Sequence, residues 1–178
     1  NMRYELMPYI YAQAKESSQK GLPMLRALFV EYPQDAGSWL VDNEYLFGSS
    51  MLVAPLFENV TERDVYLPEG TWIDYQTKKV YQSGWHKIKA GDIPIVVLVR
   101  NGTVIPHIKL AQSTKDMDWT KLSLQVFTDD KTTTASGLVY LPEGTAVENI
   151  TVNKKGTAYE VAPNALNGKT TFKVEVSK

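Results

Sequence analysis

MLVAPLF (Met51 to Phe57), RDVYL (Arg63 to Leu67), TWIDY (Thr71 to Tyr75), KVY (Lys79 to Tyr81), WHKI (Trp85 to Ile88) and IVVLV (Ile95 to Val99) follow one another with short spacers of turn-forming residues. Short runs rich in β-branched and aromatic residues, punctuated by Gly, Pro, Asn and Asp, predict strands. A second series continues the pattern: Val104 to Ile108, Leu122 to Phe127, Gly137 to Leu141, Glu148 to Val152, Ala158 to Val161 and Thr171 to Val176. Many short antiparallel strands must cover each other's apolar faces, so the expected fold is mainly β, built from one or two β-sandwich modules. The heptapeptide VYLPEGT occurs twice, at Val65 to Thr71 and Val139 to Thr145. Pro presets φ and Gly tolerates positive φ, so each copy reads as a strand running into a turn.

Before Glu44 the period is different. Met7, Ile10, Tyr11 and Ala14 recur at i, i+3, i+4 and i+7, which predicts one buried face of a helix from Tyr4 to Lys20. Lys20, Gly21 and Pro23 supply its C-terminal stop. Pro8 demands either a kink or a helix beginning nearby. Met24 to Tyr32 (MLRALFVEY) is nearly continuous apolar sequence interrupted by Arg26 and Glu31, and reads as a strand covered on both faces. Gln34 to Glu44 reads as a long loop, a common carrier of function. No Met stands at position 1 and the chain opens inside what reads as an amphipathic helix, so it is expected to be a fragment.

The 178 residues are 43% apolar, enough for a sizeable core. Nineteen Lys and Arg against twenty Asp and Glu give a net charge of −1, without the basic footprint of a nucleic-acid or anionic-membrane binder. No stretch has the length and hydropathy of a membrane span, and the first residues do not resemble a signal peptide. The absence of cysteine excludes disulfides and thiolate chemistry within this sequence and leaves the compartment open, the cytoplasm being the leading expectation.

No Gly-rich phosphate loop, GxSxG or CxxC motif occurs, which removes support for nucleotide, serine-elbow and thiol chemistry. His86 and His107 fall in separate strand-like runs, a poor arrangement for a metal site. Glu31, Asp35, Asp42 and Glu44 form the densest carboxylate group, at a strand end and loop where acid and base work on a glycosidic bond is conceivable. Such acids also cap loops and solvate surfaces. Asp129 and Asp130 before Lys131 read as a hairpin turn rather than a calcium loop, for want of further ligands at alternate positions. Eight of ten Tyr and three of four Trp precede position 86, so the richer aromatic packing is expected in the first half.

Five blocks in order carry a resemblance: RYELMPYIYAQA (Arg3 to Ala14), GLPMLRALFVEYPQD (Gly21 to Asp35), NEYLFGSSMLVAPLFE (Asn43 to Glu58), VYLPEGTWIDY (Val65 to Tyr75) and IPIVVLVRNGTVIP (Ile93 to Pro106). Together they resemble the C-terminal part of family 31 glycoside hydrolases, the α-glucosidases and α-xylosidases. The resemblance implies that residues 1–43 close a (β/α)₈ catalytic barrel, 44–106 form a proximal β-sandwich and 107–178 a distal one. It implies a retaining α-glycosidase whose nucleophile and acid/base aspartates lie on earlier barrel strands, so no catalytic, cofactor or metal residue is assigned here and the fragment alone should be inactive. The implied partners are the rest of the barrel enzyme and an α-linked oligosaccharide, with no nucleic acid and no membrane. Arg26-Ala27-Leu28, where many α-glucosidases of the family have Arg-Pro-Leu, and Gly84-Trp85-His86-Lys87 look more like the α-xylosidases. The alternatives are an α-glucosidase and a stand-alone carbohydrate-binding sandwich.

Overall fold

Gly21 ends the N-terminal helix in the left-handed conformation at φ 69°, and its N–H donates to the Ser17 carbonyl at 2.9 Å, the stop anticipated from sequence. The computed structural model describes residues 1–144 and 146–176. Helix α1 (Met2–Glu5) breaks at Leu6, and α2 (Met7–Lys20) starts afresh with Pro8 in its first turn, where the missing N–H costs nothing. The buried face of α2 is not the one the apolar pattern predicts. Tyr9, Ala12, Gln13 and Glu16 are buried, whereas Tyr11 and Ala14 are exposed and Met7 and Ile10 half-buried. Polar residues on the inner side misled the pattern: Glu16 accepts from Lys20 at 2.6 Å, and Tyr11 lies sideways against the Trp119 and Tyr140 rings, at 5.7 and 5.0 Å.

Met24 to Tyr32 does not form one strand. It splits into β1 (Leu25–Arg26) and α3 (Leu28–Glu31). The turn between them brings the buried Arg26 guanidinium onto the Glu31 carboxylate, while Arg26 Nε donates to the Pro23 carbonyl at 2.7 Å. An extended run would hold these partners apart and leave a buried charge unpaired.

Two compact units divide the chain. Residues 22–101 carry a six-stranded sheet in the order β1-β2-β3-β6-β4-β5, with β2 at Tyr45–Phe47, β3 at Met51–Pro55, β4 at Glu62–Asp74, β5 at Val80–Lys89 and β6 at Ile95–Arg100. Leu52 and Ala54, Val65 and Leu67, Val96 and Leu98 alternate onto one face and join Leu28, Leu46, Trp72 and Ile88 in a single core. The first copy of the heptapeptide is not a turn between two strands. Pro68 to Gly70 bulge out of the continuous β4, Gly70 at φ 124°, and pairing with β5 resumes at Thr71.

The other unit comprises residues 1–21 and 102–178. Its sheet runs β11-β10-β9-β7-β8-β12, from β7 (Thr103–Ile108), β8 (Lys121–Phe127), β9 (Thr134–Val139), β10 (Glu148–Lys155), β11 (Ala158–Val161) and β12 (Thr171–Val176). Leu122, Leu124 and Val126 alternate into its core with Val104, Val139, Ile150 and Val152, and α2 packs against β7 and β9. In the second heptapeptide the strand does end in a turn, with Gly144 N–H donating to the Leu141 carbonyl at 2.8 Å; its last residue, Thr145, lies outside the described residues. The fold is thus mainly β, as the strand runs indicate.

Candidate functional site

The loop after Tyr32 is built from its own residues. Pro33 stops α3, and Asp35 caps a 3₁₀ turn over Ala36–Trp39 by accepting from Gly37 N–H at 3.0 Å. The buried Ser38 hydroxyl lies 2.8 Å from the Tyr32 carbonyl and 2.7 Å from that of Asp35, which it serves as a shared donor. The same Asp35 oxygen receives the Tyr66 hydroxyl proton at 2.6 Å. That hydrogen bond, with burial and the carboxylate charge behind it, pushes the Tyr66 phenol up to about 12, so it remains a donor at any physiological pH. A Cβ on Gly37 would come within 2.3 Å of the Tyr66 ring, so only glycine lets the loop lie this close to β4.

Beyond the turn, Trp39 stacks on Phe29, with centroids 4.6 Å apart and planes at 15°, and its indole N–H donates to the Pro33 carbonyl at 3.0 Å. Trp39 is nevertheless 59% exposed and Leu40 83% exposed, and Leu25, Phe29 and Val30 add to the uncovered apolar surface.

The four carboxylates singled out from sequence have separate duties. Glu31 pairs with Arg26, and Asp35 caps the turn and anchors Tyr66. Both line one cleft with Tyr32, Gln34, Tyr66, Glu69 and Ser83. Asp42 is exposed. Glu44 is buried and accepts from Tyr66 N–H at 2.9 Å, with Arg63 3.6 Å away. Arg63 in turn donates to the carbonyls of Asn43 at 3.0 Å and Pro55 at 2.8 Å and to Asn43 Oδ1 at 2.6 Å, tying three segments together. Sequence reading missed this tie, since nothing in the RDVYL run shows where a guanidinium will reach.

Burial raises the Glu44 carboxyl to about 7, against the opposing pull of the Tyr66 N–H and the Arg63 charge. The unfolded chain ionises this group near 4.5, so between these values the folded state holds a proton that the unfolded state has lost. Stability from the protonated group is full below the lower value, falls as pH rises, and is gone above the upper one, a loss on the order of 3 kcal/mol. Urea midpoints measured from acid to alkaline pH should show this decline in the native chain and its flattening in Glu44→Gln, which keeps the acceptor for Tyr66 without the ionisation.

The histidines occupy different units. His86 Nε2 lies 2.7 Å from the Gln82 carbonyl, and the buried His107 has Nδ1 3.0 Å from that of Ile105. No group of three metal-binding side chains exists among the described residues. Asp129 Oδ1 accepts from the N–H groups of Lys131 and Thr132 at 3.2 and 2.8 Å and from the Thr132 hydroxyl at 2.6 Å, as suits the turn read from the sequence.

Residues 21–105 match the family described as glycosyl hydrolase family 31 C-terminal domain. The chain is 38% identical over 109 residues to an isomaltosyltransferase of Sporosarcina globispora, covering 60% of itself and 10% of that protein. It is 33% identical over 119 residues to alpha-glucosidase 2 of Bacillus thermoamyloliquefaciens, covering 66% of itself and 15% of the relative. Among solved structures, a Flavobacterium johnsoniae GH31 dextranase complexed with glucose superposes with a TM-score of 0.78 at 30% identity, over 90% of this chain and 21% of its own. A GH31 alpha-xylosidase from Xanthomonas citri gives 0.75 at 23% identity over 98% and 20%, a likeness of fold alone. The chain spans about a tenth to a fifth of the proteins it matches.

Proposed function

The chain belongs to glycosyl hydrolase family 31 and carries its C-terminal domain, and from that premise we propose that it completes and braces the barrel of a retaining α-glycosidase. In this reading residues 1–43 belong in sequence to the end of the barrel, 44–106 to a proximal β module and 107–178 to a distal one, although the compact units divide elsewhere: β1 and α3 pack in the unit of residues 22–101, α2 packs in that of 1–21 and 102–178, and β7 begins at Thr103. The two reactive carboxylates come from the rest of the enzyme: one attacks the anomeric carbon while the other protonates the leaving oxygen, and the pair then admits water. The observation that carries the reading is the set of exposed apolar residues Leu25, Phe29, Val30, Trp39 and Leu40 around the capped loop, suited to packing against the rest of the barrel.

For the substrate we propose an α-glucoside, supported by the identity to an alpha-glucosidase and an isomaltosyltransferase. A second reading, an α-xylosidase, is favoured by Arg26-Ala27-Leu28 and Gly84 to Lys87. Rates of the intact enzyme on nitrophenyl α-glucoside and α-xyloside decide between them; activity of the 178 residues alone would overturn the bracing role. Replacing Trp39 by Ala in the intact enzyme should lower kcat/KM about tenfold, roughly 1.4 kcal/mol of transition-state stabilisation. In the barrel reading the loop after Tyr32 borders the substrate pocket, and unchanged kinetics with a loss of stability would show that Trp39 packs and does not shape that rim.

A further inference from the structure

Tyr66 on β4 and Trp85 on β5 are register partners, with ring centroids 5.3 Å apart at 53°. Trp85 is 61% exposed. An indole left in water on an outer sheet face forfeits the burial that usually justifies it, unless something else covers it. Its support is fixed. Tyr66 donates to Asp35 and its ring lies hard against Gly37, so it cannot turn aside to let the indole collapse inward.

Beside the pair opens the cleft shared by Gln34, Asp35, Glu69 and Ser83, with a volume of about 590 Å³, within the range of small-ligand sites. The lining offers carboxylates, an amide and a hydroxyl, and no Lys or Arg. Arg26 lies near in sequence but is spent on Glu31 and the Pro23 carbonyl. An apolar ring flanked by oriented acceptors and donors is the chemistry that recognises a sugar, whose C–H face lies on the ring while its hydroxyls reach the polar edge. Arg26 on Glu31 and Arg100 over the Tyr32 ring, 5.3 Å from its centroid, stand behind the lining, while the lining carboxylates Asp35 and Glu69 form no ion pair among the described residues, so an anionic glycan would meet uncompensated negative charge.

We infer that Trp85, Tyr66 and the Glu69–Ser83 cleft form a binding site for a neutral oligosaccharide on this chain. The choice of sugars draws on the family reading, while the site itself stands on the ring pair and the cleft.

The test uses the ¹⁵N-labelled 178-residue chain and its four indole N–H resonances, titrated with maltotriose, isomaltotriose and, as an anionic control, trigalacturonate. The expected result is a saturable shift of the Trp85 signal by at least one neutral sugar, with a Kd on the order of 1 mM, while Trp72 and Trp119 stay unmoved. Trp85→Ala should abolish the accompanying shifts of the Ser83 and Gly84 amides with the rest of the spectrum unchanged. Tyr66→Phe, which keeps the ring and loses its anchor, should weaken binding severalfold. A flat Trp85 titration up to about 20 mM, shifts that survive Trp85→Ala, or an equal response to trigalacturonate would overturn the site. So would a Trp85 shift that follows protein concentration without sugar, which would show that a second copy covers the indole. Failure here would leave the family reading standing, because glycosidase assays of the intact enzyme test that reading separately.

Discussion

Gly137→Ala is expected to destabilise the unit formed by residues 1–21 and 102–178 by more than about 4 kcal/mol, in the tail of single substitutions that has a nameable cause. Gly137 sits in β9, where it pairs with Ile150 of β10. A Cβ built there would stand 1.9 Å from the Val104 carbonyl oxygen and 2.8 Å from its carbon. Both are backbone atoms of β7, so no side chain can swing away to make room. The sheet would have to separate where β7 and β9 meet at Thr103 and Ser136, disturbing the Ser136 N–H to Gly102 carbonyl bond of 3.0 Å. Amide hydrogen exchange reads the effect by location. Protection should fall for β7, β9 and β10 and persist in β3 and β6; unchanged protection of β9 would show that the glycine is not required for this close approach.

How much of this was legible in the residues depends on how local each cause is. Leu122, Leu124 and Val126 alternate in sequence and alternate in burial, because the strand period is set by the backbone. Gly21 and Pro23 announced the helix end for the same reason. The buried face of α2 was illegible because Gln13 and Glu16 lie on it, and their partners cannot be read from a hydrophobic pattern. Met24 to Tyr32 was misread as a strand although its two exceptions, Arg26 and Glu31, were the residues whose pairing bends it. At the loop, the four carboxylates were visible but their duties were not. Asp35 meets Tyr66 across 31 positions and Glu44 meets the same residue across 22, distances at which spacing carries no signal. The heptapeptide makes the point from one sequence: Pro68-Glu69-Gly70 bulges within β4 because β5 pairs on both sides of it, while Pro142-Glu143-Gly144 turns after β9 ends.

Trp72→Ala should cost the unit of residues 22–101 about 4 kcal/mol, the usual scale for emptying the site of a buried aromatic. Trp72 is fully buried among Leu28, Leu46, Leu52, Val96 and Leu98, so its removal leaves a cavity bounded by several strands rather than one flexible neighbour. The indole also has a polar duty, since its N–H donates to the Pro68 carbonyl at 3.0 Å and so satisfies the backbone where the bulge interrupts the β4 ladder. Arg100 lies over the same ring at 5.8 Å, held there together with Tyr32 at 5.3 Å. Alanine removes the volume, the donor and the surface under the cation together. Phenylalanine restores most of the volume and not the donor, so the difference between Trp72→Ala and Trp72→Phe in urea unfolding isolates the cavity. The Phe variant should recover more than half of the loss, with the remainder concentrated at the bulge as faster exchange of the Thr71 and Gly84 amides. Equal destabilisation by both would mean that the hydrogen bond to Pro68, and not packing, secures the tryptophan's contribution.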